Sequence, residues 1–399
     1  MISVCPGKLP ACTPSNPAMP MLARCTLLLT LSVSISAQQS IGKQPKFVLP
    51  AGVYALDELV ERVVQARGTP IRIDEQTRSM LHDHRIVLHH ELQLPPRGFA
   101  DVAATLLVQQ GVALVREGET GNLQAVNMAE HGSDFASFAK SQTVAEVLAH
   151  PHRASCVTTL VGTGEVKPAL ARNFVRPFMG MSTDRWNLQT AVEDGKVRLT
   201  GLTDQVAFGI ALLHRLCDQA GANMPSLPDW DEGDAALHIW PGGRLPRSKL
   251  FALAAVELGC NLVHVDEPSK DPSIDLGKPA QLRASDWFVR LCEALRGEDM
   301  LLLPVVTEHR VFQLFDGNDS CQQPPAWHAQ FMTPEDALAR KHLLFVSVLI
   351  RPPVSSPDAA NALMPNRKGL SVASMGPNHI MITGPRDYVA EALKIVRAL

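Results

Sequence analysis

The chain has few aromatics, no C-x-x-C pair, no basic excess and no membrane-length apolar run, and each shortage removes a class of function. Aromatic residues fill 5% of 399 positions, with two tyrosines among them, too few for the stacking platforms that single-stranded nucleic acids need. Lys and Arg number 37 against 40 Asp and Glu, and they form no basic run of the nucleic-acid type. No glycine-rich loop ends in G-K-[ST], and no G-x-S-x-G, H-E-x-x-H or paired-carboxylate signature occurs. Thr26–Ile35 is an apolar stretch of ten residues, too short to cross a bilayer, and no other segment approaches that length.

That stretch follows Arg24 and precedes Ser36-Ala37, the pattern of an export signal. Residues 1–37 are expected to be a signal peptide cut after Ala37, or after Ser36 as the alternative. The mature chain then begins at Gln38 and lies outside the cytoplasm. Met19 or Met21 is an alternative start to Met1, and Cys25 lies ahead of the apolar stretch, which argues against a lipid anchor there. The mature balance is 35 basic to 40 acidic residues, with five cysteines. Cys217, Cys260 and Cys292 sit in apolar contexts and are expected to be buried thiols; Cys321 is expected to be exposed. An odd count leaves no evident disulfide framework.

Candidate chemistry is thin. His82, Asp83, His84, His89 and His90 cluster in sequence, but His89 and His90 would point to opposite faces of a strand and could not share a metal. Gly162-Thr163-Gly164-Glu165 reads as a turn, His150-Pro151-His152 as part of a linker, and Trp240 as a core or edge residue. No catalytic, cofactor-binding or metal residue is assigned, no cofactor is expected, and the chain is expected not to be an enzyme.

What is present is repetition. Leu199-Thr200-Gly201-Leu202-Thr203-Asp204-Gln205-Val206-Ala207 returns as Ile382-Thr383-Gly384-Pro385-Arg386-Asp387-Tyr388-Val389-Ala390, 183 residues later. The apolar stripe Val206, Ile210, Leu213, Leu216 falls on Val389, Leu393, Val396, Leu399, which is helical spacing in register. Gly201 and Gly384 are expected to make the sharp turn into each helix, Pro385 to take the first helical position, and Asp204 and Asp387 to favour the first turn. Hairpins are expected at Glu193-Asp194-Gly195 and Gly376-Pro377-Asn378, and earlier helices at Lys167-Pro168 and Ser356-Pro357. Each unit reads strand–helix–strand–strand–helix. The segments ahead of them, Phe47–Met128 and Leu237–Phe315, share a second order of elements more weakly. Stretches 129–155, 221–235 and 316–341 read as linkers, although Val144–Leu148 and Pro334–Ala339 could each form a helical turn.

The expected class is therefore α+β: four small two-layer domains in an A-B-A′-B′ tandem, at 44–128, 155–220, 236–315 and 342–399. By the Thr-Gly endings at Leu199–Leu216 and Ile382–Leu399 and the A-then-B order, the A units resemble the secretin and TonB-receptor short N-terminal domain. The B units resemble the KH-like ring-building domain that follows it in secretins. The long Gly-rich channel domain of secretins has no counterpart here. The resemblance implies a periplasmic scaffold, with peripheral outer-membrane association, whose partners are proteins: a secretion or pilus component, or a second copy. A KH-like nucleic-acid binder is disfavoured by the export signal, the negative balance and the missing G-x-x-G loop. An exported enzyme would need a polar constellation that the sequence does not show.

Overall fold

The computed structural model describes residues 47–88, 90–117, 122–130, 134–149, 155–175, 188–217, 236–264, 271–306, 310–316, 329–339, 345–363, 370–376 and 378–399. The expected signal peptide at 1–37, the stretch 221–235, His89, His150-Pro151-His152, Pro377 and Cys321 lie outside the described residues. The structure is α+β, with eleven α-helices among the described residues and seven small sheets.

The first segment contains β1 (Phe47–Leu49), β2 (Gly52–Ala55), α1 (Leu56–Arg67), β3 (Ile71–Ile73), α2 (Glu75–Asp83), β4 (Arg85–Leu88), β5 (Leu92–Leu94), α3 (Pro96–Gln109), β6 (Val112–Glu117) and β7 (Asn122–Asn127). Its strands pair as β1 with β5, β2 with β4, and β3-β7-β6. As a sequence, Arg85–Leu92 reads as one strand and 75–83 carries no helix signal; the structure has two short strands there, with helix α2 ahead of them. Asp74 explains α2: its carboxylate accepts the Thr77 N–H at 2.7 Å and the Thr77 hydroxyl at 2.7 Å, an N-cap that satisfies an orphan donor of the first turn.

The stretch 129–155, expected as a linker, carries a 3-10 helix (Asp134–Phe138), β8 (Lys140–Ser141) and α4 (Val144–Ala149). Thr143 and Glu146 form a reciprocal cap at the start of α4. Then come β9 (Cys156–Val161), α5 (Pro168–Val175), β10 (Gln189–Glu193), β11 (Lys196–Leu202) and α6 (Thr203–Leu216), with strand order β10-β11-β9-β8. Asp194 and Gly195 both have positive φ, 48° and 71°, the turn that twists with a two-residue hairpin.

The next segment holds β12 (His238–Trp240), β13 (Arg244–Pro246), α7 (Arg247–Leu258), β14 (Asn261–His264), β15 (Ser273–Asp275), β16 (Ala280–Leu282), α8 (Ala284–Gly297), β17 (Met300–Val306) and β18 (Val311–Asp316). Its pairings, β12–β16, β13–β15 and β14-β18-β17, repeat those of the first segment in order. The last segment holds β19 (Gln330–Met332), α9 (Pro334–Ala339), β20 (Phe345–Ile350), α10 (Ser356–Leu363), β21 (Ser371–Ser374), β22 (Ile380–Pro385) and α11 (Arg386–Ala398). Its order β19-β20-β22-β21 mirrors β8-β9-β11-β10. β19 and α9 fall in the other expected linker.

The repeated phrase has a different physical basis from the one expected. Gly201 lies inside β11 and is not among the positive-φ glycines; a Cβ there would sit 2.9 Å from Gln205 Oε1 and 3.3 Å from Leu188 Cδ1. Glycine there leaves room for the Gln205 side chain, whose Oε1 accepts the Leu202 N–H at 3.1 Å, and serves packing and not a turn. Pro385 ends β22 and caps α11, one residue earlier than its expected place. The threonine of each copy ties the sheet: Thr200 Oγ1 meets Thr158 Oγ1 at 2.8 Å, and Thr383 Oγ1 meets Ser347 Oγ at 2.7 Å.

Of the thiols, Cys156 and Cys260 are buried, while Cys217 and Cys292 are only half-buried, a correction for those two. Burial pushes Cys156 and Cys260 up to about 12, so both stay protonated at neutral pH.

Candidate functional site: the joints and a basic cleft

Two of the joints between segments are head-to-tail. β4 pairs antiparallel with β14, Leu88 opposite Val263 and Val87 opposite His264. This makes one five-stranded sheet, β17-β18-β14-β4-β2, out of strands from both halves. Val263 and Val311 enter the core built by α1 and α3. The structural partners are not equivalent strands: β4 corresponds to β15, and β14 to β3.

The other joint lays α6 on the sheet β19-β20-β22-β21. Phe208 meets Phe331 edge-on at 5.9 Å, the Arg215 guanidinium stands 4.7 Å from the Phe331 ring, and Met375 and Met381 share the α6 core. Alternation along β20 and β22 sends Val346, Val348, Ile380 and Ile382 to α10 and α11, and Leu349 and Met381 to α6. Helix α6 is therefore buried on nearly all sides, which fits its apolar residues all round. Burial lowers the pKa of Arg215 while Asp336 opposes the shift.

The remaining joints differ in chemistry. Between the first two segments Val108, Val115, Val126, Met128, Cys156 and Leu202 form an apolar cluster. Between the last two, Arg296 pairs with Asp387 and stands 4.2 Å from the Tyr388 ring. Burial works against the Arg296 charge, but the hydrogen bonds and charges of Asp387 and Tyr388 outweigh it and raise its pKa.

Above the apolar cluster a cleft of about 670 Å³ opens between the first two segments. Its floor is apolar: Ala66, Ala100, Ala104, Leu114, Leu123 and Phe138. Among the described residues three cations line it, Arg67 from the end of α1, Arg116 from β6 and Lys140 from β8, with one carboxylate, Asp101. Gln142, Ser155 and Cys156 complete the second wall. The cleft walls include β6 and β8, each an edge strand of its sheet.

The sequence assigned none of these residues. Of the residues it did single out, His82 Nδ1 pairs with Asp57 at 3.0 Å, His84 Nδ1–H donates to the Met80 carbonyl at 2.7 Å, and His90 Nδ1–H donates to the Glu91 carbonyl. His82 lies on α2. Among the described residues no three His, Cys, Asp or Glu side chains come together as a metal site. Gly162–Glu165 lies in a turn closed by the Thr163 hydroxyl donating to the Val166 carbonyl at 2.7 Å. Trp240 is buried, with Nε1–H donating to the Leu276 carbonyl at 2.8 Å. No described helix is long and apolar enough to cross a membrane.

Among solved structures the chain is similar to the N-terminal domain of the secretin XcpQ from Pseudomonas aeruginosa, at 8% identity and TM-score 0.17, covering 89% of this chain and 98% of that one. It is similar to an enterotoxigenic Escherichia coli GspC-GspD complex of the type II secretion system at 12% identity and TM-score 0.18, over 41% of this chain and 100% of that one. It is also similar to the Klebsiella pneumoniae type II secretion outer membrane complex at 12% identity and TM-score 0.31, over 88% of this chain and 49% of that one. No protein-family profile matches the chain. No curated protein matches it by sequence.

Proposed function

We propose that the chain is a non-enzymatic exported scaffold. It is built as an A-B-A′-B′ tandem of four small domains, the B units KH-like, and resembles the periplasmic part of a secretin. It works by protein–protein contact, docking to a protein-secretion or pilus-type machine. The observation that carries this reading is the pair of head-to-tail joints, β4 to β14 and α6 to the β19–β22 sheet. Both use the surfaces such domains offer to other proteins, a strand edge and a sheet face. The recurrence of every strand pairing in the second half supports the duplication. The apolar stretch Thr26–Ile35 with Ser36-Ala37 supports export, with the mature chain starting at Gln38 and lying in the periplasm.

The test is photo-crosslinking in intact cells from exposed positions such as Arg198 and Glu391, followed by mass spectrometry of the adducts. The expected result is a mature chain beginning at Gln38 and crosslinked to envelope secretion or pilus components. A full-length chain in the cytoplasm, or adducts confined to nucleic acid, would contradict the proposal.

A further inference from the structure

The two halves repeat each other strand for strand, so each cleft residue has a counterpart, and the counterparts close the cleft. The fifth residue of α3 is Ala100, and that of α8 is Phe288. Arg116 pairs with Leu123 in β6–β7, where Pro304 pairs with Phe312 in β17–β18. Phe288 and Phe312 pack against each other at a tilt, centroids 5.2 Å apart, filling the space that Ala100 and Leu123 leave open. Cys156, opposite Leu202, corresponds to Phe345, opposite Pro385.

The three cations are not kept at the matching positions, although Arg310 reaches the Leu258 carbonyl at 3.2 Å from another place in the chain. Arg67, the last residue of α1, corresponds to Leu258, the last of α7, each followed by a left-handed glycine. Lys140, opposite Val157, corresponds to Gln330, opposite Val346. Packing alone does not need cations at these three positions, since the second half has Leu258, Pro304 and Gln330 there. The cations and the small residues belong together as a site present in one half.

We propose that this cleft binds an extended acidic segment of a partner protein, laid along the edges of β6 and β8. The inference rests on the scaffold reading above and names the chemistry of its partner. Three cations against one carboxylate select negative charge. Among the described residues β6 pairs only with β7 and β8 only with β9, so each wall offers main-chain groups to an added strand. The volume lies within the range of sites that enclose a small ligand or a short peptide, and the alanine floor admits alternate apolar side chains.

The probe is a fluorescein-labelled hexapeptide of alternating Glu and Val, titrated with the full mature chain by fluorescence anisotropy, beside a Lys–Val hexapeptide and inorganic phosphate as competitor. Saturable binding of the Glu–Val peptide alone is expected, weakening at least tenfold between 50 and 500 mM salt, on the order expected for screened charges. Arg116→Glu combined with Lys140→Glu, both at exposed positions, should weaken it by a further tenfold or more while leaving the melting curve unchanged. Ala100→Phe, which copies the second half, should abolish it. Failure of the wild-type chain to bind the peptide, or equal binding by the charge-reversed variant, overturns the site. Phosphate binding without peptide binding overturns the peptide assignment. Either failure leaves the scaffold reading to the crosslinking test, which does not use the cleft.

Discussion

At the scale of the residue, one carboxylate has a pH signature. Asp204 is half-buried in the first turn of α6, and burial pushes its pKa up to about 7 against the hydrogen bond from the Gln205 N–H. Its counterpart Asp387 has Arg296 beside it, from the last turn of α8, whereas the matching position on α3 is Val108, buried in the apolar cluster. An acid whose folded pKa lies above its unfolded value binds its proton more tightly when folded. Stability is then full below about pH 4 and declines as pH rises towards 7. Asp204→Asn should remove that slope. At pH 8 it should stabilise the chain by about 1–2 kcal/mol, less than the roughly 4 kcal/mol of the whole shift because the side chain is not fully enclosed. At pH 4 it should change little. Urea unfolding of both chains at pH 4 and 8 checks this, and a pH-independent difference would contradict it. The same scale explains the repeated Thr-Gly pair: threonine supplies a cross-strand hydroxyl, and Gly201 leaves room for Gln205. The sequence shows the repetition, but not its reason, because the partner residues Thr158 and Leu188 lie far away in the chain.

At the scale of the element, α6 and α11 descend from one pattern and end in different surroundings. The stripe Val206, Ile210, Leu213, Leu216 is legible in both copies; it packs α6 on its own sheet, and Val389, Leu393 and Val396 do the same for α11, while Leu399 falls past the helix end and is exposed. The opposite face is not shared: Phe208, Ala211 and Leu212 stand where α11 has Glu391, Lys394 and Ile395. That contrast marks a helix with a second partner, and it is readable only by comparing the copies outside their common stripe. Phe208→Glu should cost about 3–5 kcal/mol, since it removes the ring against Phe331 and buries a carboxylate. Glu391→Phe, on an exposed face, should stay within about 0.5 kcal/mol. Chemical denaturation of the two variants compares them directly; equal costs would mean that α6 has no second partner. Helix α2 and the short strands β2, β13, β15 and β16 escape sequence reading for another reason. Each is too short to show a period, and its pairing lies across the segment.

At the scale of the whole molecule, a recurring order of elements is legible in the sequence while the coupling of the halves is not. The stretch 221–235, rich in Pro and Asp, leads to the expectation that the halves behave independently. The structure instead joins them twice, through β4–β14 and through α6 on β19–β22. The apolar residues that make these joints, Val263, Val311, Phe331 and Met381, are buried, yet in a sequence they look like any core residues. The outward equivalents are polar: Arg72 stands at the place of Val263 and Arg198 at that of Met381. Surfaces that face water have kept charges where the joint has lost them, which blunts further pairing.

The central claim is that the two halves form one interlocked body held by those joints rather than by the chain between them. A site-specific protease sequence placed within 221–235 allows that connection to be cut in the folded protein, and size-exclusion chromatography then reads whether the pieces separate. The account predicts that both fragments co-elute at the volume of the uncut chain and part only in denaturant. Elution of two independent folded halves under native conditions would contradict it.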